Sequence, residues 1–166
     1  MEVVEKYGDQ VVDLKDHLKR LGDIINIDGP VLSLFQDERN KDLYLFDWVD
    51  SDETTNRWLI YKINPEILND FLISKISYRK MFESALLSEF YFADIFNSEN
   101  IDYSLQKIKY LPKKYLATKD VFLDIDDTKN FDEIHQVVNT ILEKNKKSNM
   151  VNKICYNATF FFSQGS

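Results

Sequence analysis

Apolar side chains recur at Val4, Tyr7, Val11, Leu14, Leu18 and Leu21, in intervals of three and four. That is the spacing of a helix stripe. Gly8 weakens its start and Gly22 closes it, so the pattern predicts a helix over about residues 9–21. The stripe Val11, Leu14, Leu18, Leu21 has two readings: a helix lying on the protein's own sheet, or an arm for a partner or a second copy. With fewer than three heptads, the first is favoured. The period then falls to two. "DIINI", "VLSLFQD", "DLYLFDWVD" and "RWLIYKI" are rich in β-branched and aromatic residues, and the polar stretches "DGP", "ERNK" and "SDETTN" separate them. These runs predict an antiparallel meander. In the third run both faces are largely apolar, which predicts a central strand covered on each side.

Helical spacing returns in "NPEILNDFLIS", where Asn64 is an expected N-cap and Pro65 stands at the first helical position. Ser77 is the expected cap of a second helix, "YRKMFESALLS", and "EFYFADIF" reads as a further strand. Residues 97–120 are mixed, with an extended segment broken by Pro112. The clearest helix is Asn130 to Lys146, striped by Phe131, Ile134, Val138 and Ile141, with an Asn130/Glu133 capping box and Lys144, Lys146 and Lys147 at its end. In the tail "KICYNATFFF", Ile154, Tyr156, Ala158, Phe160 and Phe162 alternate, which predicts a closing strand. The expected fold is α+β: one domain over 1–166 with a mostly antiparallel sheet of about five to seven strands and packed helices. Residues 1–21 form a helical arm, 22–125 the core, and 126–166 the last helix and closing strand.

The D-G-P turn, "LYLFDWVD", "NRWLIYKI" and "YLPKKYLATKD", in this order over about residues 22–125, resemble an uncharacterised bacterial family of small cytoplasmic domains. The chain departs from that family's pattern at Ala117, where a second Pro is usual. The resemblance implies an α+β domain with an antiparallel sheet and carries over no catalytic residue. It also implies a setting beside bacterial defence or toxin genes.

The composition fits this picture. Apolar residues make up 44% of the 166, and 4 Gly and 3 Pro leave little linker material. No apolar run reaches the length of a membrane span, and the start "MEVVEKYGDQ" lacks a signal peptide's basic and apolar blocks. With one cysteine, Cys155, no internal disulfide forms, so a cytoplasmic location is expected. The net charge of −7 is uneven: residues 1–56 hold 14 acidic and 6 basic side chains, whereas residues 57–118 carry a balance of +2. The sequence shows no basic stripe for phosphate backbones, which argues against direct nucleic-acid binding. The acidic third would suit a basic protein partner.

Several residues bear on chemistry. "DIDDT" places Asp124 and Asp126 as the nucleophile and acid do in dehalogenase-type phosphatases. The rest of that enzyme's doubly wound sheet has no counterpart, so an acidic lead-in to the last helix is the favoured reading. Asp47, Asp50, Asp52 and Glu53 form an acidic group without the Gly and distal Glu of a calcium loop. His17 and His135 lack metal-ligand spacing, and Cys155 reads as a core residue. Trp48, Arg57 and Trp58 could stack a ligand or anchor a partner; alternatively, the tryptophans fill the core and Arg57 pairs with Asp47 or Asp50. No catalytic residue, cofactor or metal is expected. The reading is a non-catalytic protein-interaction module, an accessory or neutralising member of a bacterial defence or toxin–antitoxin pair. Its candidate surface is Asp47, Trp48, Asp50, Asp52, Glu53, Arg57 and Trp58. The alternatives are a metal-dependent phosphohydrolase using Asp124 and Asp126, and self-assembly through the N-terminal helix.

Overall fold

The structure, a computed structural model, describes residues 10–96, 103–124 and 131–164. Seven antiparallel strands form one sheet: β1 (Gln10–Val12), β2 (Leu18–Asn26), β3 (Pro30–Asp37), β4 (Leu43–Ser51), β5 (Thr55–Ile63), β6 (Phe90–Phe96) and β7 (Leu105–Lys107), in the order β1-β7-β6-β5-β4-β3-β2. The meander β2 to β5 runs as the alternating pattern predicts, with Leu45 opposite Leu34 on one side and Tyr61 on the other. At the β2–β3 turn the backbone takes positive φ at Asp28 (52°) and Gly29 (138°), which is why glycine follows the aspartate there.

The three α-helices among the described residues cover one face. In α1 (Pro65–Leu72), the Asn64 side chain accepts from the Glu66 and Ile67 amides. In α2 (Tyr78–Ser84), Ser77 accepts from the Lys80 amide. The third, α3 (Phe131–Gln164), buries Ile134 and Val138. Between helices and sheet lies the larger core, built on Leu34, Leu45, Leu59, Tyr61, Phe71, Phe82 and Phe92. Tyr115, on a 3₁₀ turn at Lys113–Tyr115, closes its far end.

The N-terminal segment corrects the sequence expectation. There is no α-helix over 10–21. Val11 lies in β1, Leu14 in a five-residue 3₁₀ turn (Asp13–His17), and Leu18 and Leu21 in β2. These residues form the two opposite edges of the sheet and the link between them. Flat, those edges would stand about 29 Å apart, six gaps of ~4.8 Å. The six Cα steps from Val12 to Leu18 reach at most about 23 Å. The sheet therefore curls, and residues 13–17 strap its edges together. Leu14 sits under the strap, 6% exposed, with Tyr44, Phe46, Ile60, Tyr91 and Leu105. A three-four spacing can thus arise from strand, turn and strand; the core begins before residue 22. Val4 and Tyr7 lie outside the described residues.

The C-terminal strand is likewise corrected. No Gly or Pro interrupts residues 131–164, and α3 runs through all 34 of them. Lys144, Lys146 and Lys147 therefore lie within the helix, and Cys155 is helical. The Asn130 cap, Asp126 and Asp127 fall outside the described residues.

Candidate functional site

The β4–β5 hairpin ends in the acidic turn and carries most of the sequence-predicted surface. Trp48 and Trp58 stand directly opposite each other on the two strands. They lie on the face without helices, beyond the strap. Trp58 is half-buried, whereas Trp48 remains 42% exposed and donates its indole N–H to Asn56 Oδ1 at 3.1 Å. Such a pair offers broad apolar surface with its polar handle already fixed.

The turn next to it is rigid. Asp52 accepts from the Thr54 and Thr55 amides, both at 2.8 Å, and these bonds hold its carboxyl below the usual range despite some opposing desolvation. Glu53 follows, exposed. A bulge between Trp48 and Asp50 sets Asp50 opposite Arg57, which brings Asp50 to the same helix-covered face as Asp47.

Arg57 does not stack on either tryptophan. It is 1% exposed on the helix-covered face, and its Nε and Nη2 both donate to the Asp94 carboxylate at 2.8 Å. Its guanidinium lies 4.3 Å from the Phe92 ring centre. Burial alone would lower its pKa, but the Asp94 and Tyr115 contacts outweigh this and leave it raised. Tyr115 accepts from Arg57 Nη1 at 3.4 Å and donates to Asp50 at 2.7 Å, so its hydroxyl bridges the two. Burial and the bond to Asp50 push the Tyr115 hydroxyl up to about 12. The expected pairing of Arg57 with Asp47 or Asp50 is thus replaced by a pairing with Asp94, one strand further on.

Asp47 is also inside, 5% exposed. Tyr61 Oη donates to its Oδ2 at 3.1 Å, and Tyr78, at the start of α2, donates to the same oxygen. Burial raises the carboxyl to about 6, against the lowering by the two hydroxyls. The seven candidate residues therefore divide. Trp48 and Trp58 face outward with Asp52 and Glu53 beside them at the tip. Asp47, Asp50 and Arg57 tie β4 and β5 to α2, β6 and the 113–115 turn. Asp94, Tyr61, Tyr78 and Tyr115 were not singled out in the sequence, because each meets its partner only through strand register or helix packing.

Asp124 is exposed, and Val121–Asp124 belongs to no strand of the sheet. Instead, the Tyr78 amide donates to the Val121 carbonyl at 2.7 Å and Ser77 bonds Asp120 at 3.1 Å, docking this segment on the α1–α2 connection. The parallel strand end that presents a dehalogenase-type nucleophile is therefore not built at Asp124. Among the described residues no His, Cys, Asp or Glu side chains cluster as a metal-ligand group, and no helix is long and apolar enough to cross a membrane.

Fold and surface together define the class: an α+β domain whose curled antiparallel sheet carries helices on one face and an exposed aromatic hairpin on the other. No family model, curated protein or solved structure matches the chain.

Proposed function

We propose that the protein is a non-catalytic protein-interaction module that docks a basic partner segment on the tip of the β4–β5 hairpin. The observation that carries the reading is the cross-strand Trp48–Trp58 pair, exposed at Trp48 and set beside Asp52 and Glu53 on a turn held by its own hydrogen bonds. A rigid aromatic anchor loses little freedom on binding, and neighbouring carboxylates add attraction for Lys or Arg together with a faster encounter. The inside of the hairpin supports the same reading. Asp47, Asp50 and Arg57 are committed to internal bonds, and these fix the backbone beneath the tryptophans. An accessory or neutralising role in a bacterial defence or toxin pair is one setting for such a domain, suggested by the family resemblance and by the acidic N-terminal third.

The test is affinity capture from the native host with wild type, Trp48→Ala and Glu53→Lys, each first checked for an unchanged melting temperature. A partner of net positive charge should be retained by wild type. It should be lost with Trp48→Ala, and weakened more by Glu53→Lys at low salt than at high salt. Capture that is indifferent to both substitutions would refute the proposal.

A further inference from the structure

At the opposite end of the strands the surface changes character. A groove of about 860 Å³ opens between the β3–β4 turn, the β5–α1 junction, the end of α2 and one flank of α3. Its volume lies within the range of binding clefts. Leu43 lines it, whereas the acidic turn follows Ser51 at the other end of the same strand, about 26 Å away at ~3.3 Å per residue.

We propose that this groove is a second docking surface, for an amphipathic helix with acidic flanks supplied by a partner protein. Three observations lead there. First, the α3 wall is a regular stripe. Gln136, Val137, Thr140, Ile141 and Lys144 all line the groove, and with Asn145 they span about 13 Å of helix. That length matches two to three turns of a second helix laid alongside, the geometry of helix-in-groove recognition.

Second, the stripe presents apolar surface that no described element covers. Ile134 and Val138, one helical row away, are fully buried against the sheet. Val137 and Ile141 are only partly buried and face the groove, whose lining is predominantly apolar. Third, the rim is cationic. Among the described ionisable residues lining the groove, Lys41, Lys62 and Lys144 are positive and only Asp42, which pairs with Lys62 at 2.9 Å, is negative. On a chain of net charge −7 this local excess of positive charge runs against the whole molecule. An occupant with an apolar stripe and carboxylates on its flanks meets both features. Lys41 has φ of 67° in a turn whose amide donates to the Asp37 carbonyl at 2.8 Å, so the rim is held by backbone and not by a loose loop.

The inference stands apart from the hairpin reading, because it uses other residues and the opposite charge. It is tested with two stapled helical probes of about 12 residues, each bearing a Leu stripe, one flanked by Glu and one by Lys. Binding to the full chain is followed by fluorescence polarisation and by amide NMR shifts. The Glu probe should bind about tenfold or more tighter than the Lys probe and shift amides along 136–145 and 40–43. The double variant Lys41→Glu/Lys144→Glu should reverse that preference. Thr140→Trp, at an exposed position on the wall, should block both probes, while Trp48→Ala should leave both unaffected. Equal binding of the two probes, or shifts confined to other surfaces, would overturn the proposal. So would displacement of the Glu probe by decanoate at comparable concentration, which would make the groove a small-ligand pocket.

Discussion

Replacing Asp47 by Asn should change how stability depends on pH more than any other single substitution in the core. The carboxyl is buried between β4, β5 and α2, and among the described residues its bonds come from the Tyr61 and Tyr78 hydroxyls and from no cation. Burial moves it from 3.8 to about 6. The folded protein therefore binds the proton more tightly than the unfolded chain. The resulting stability is fully present below about pH 3.8 and is lost as pH rises through about 6. The difference corresponds to about 3 kcal/mol between those limits, with a steepest slope near 1.4 kcal/mol per pH unit. Asp23, Asp37 and Glu89 work in the opposite sense. Their carboxyls are lowered, so their contribution is lost on acidification, below about pH 4. The two effects occupy separate windows. Urea unfolding at pH 4.5, 5.5, 6.5 and 7.5 should show wild type losing stability with rising pH, whereas Asp47→Asn stays nearly level at an unchanged m-value. A wild type that gains stability over this range, or parallel curves for the two proteins, would refute the assignment of a buried, proton-holding carboxyl.

Further predictions concern the elements that frame the hairpin. Arg57→Ala should cost about 3–5 kcal/mol by leaving Asp94 without its bidentate partner; the pair replacement Arg57→Met/Asp94→Leu should recover much of that loss in urea titrations. Leu14→Ala should cost about 2–4 kcal/mol if residues 13–17 strap the sheet, and next to nothing if they form an exposed helical arm; thermal unfolding distinguishes the two. Asn64→Ala should remove a cap bonded to two amides and cost about 1 kcal/mol, measured the same way.

The sequence was most readable where local chemistry and tertiary structure agree. The strands from Pro30 to Ile63 are legible because their β-branched and aromatic runs pack on both faces, one under the helices and one under the strap, and Asn64 and Ser77 cap helices with side chains acting two or three residues away. It was least readable at the two termini. The run from Val11 to Leu21 keeps helical spacing, but its residues serve two sheet edges joined by a five-residue turn, and only closure of the whole sheet determines that. The alternation of Ile154, Tyr156 and Ala158 suggested a strand, while the uninterrupted helix-forming chain from Phe131 onward carried the helix through them. The hairpin surface was half legible. Trp48, Trp58, Asp52 and Glu53 share it, whereas strand alternation turns Arg57 inward with Leu59 and Tyr61, and its partner Asp94 lies opposite it on β6, a register that no local pattern encodes.

The central claim is that the exposed side of the β4–β5 tip is where a basic protein docks. Its most direct test is a photo-crosslinking residue placed at Asn56, beside the Trp48 indole, with a matched probe at exposed Glu66 on α1. In the native host the Asn56 probe should give a discrete adduct with one basic protein, lost when Trp48→Ala is added, while the Glu66 probe gives none. The same adduct at both positions, or one at Asn56 that persists without Trp48, would contradict the account.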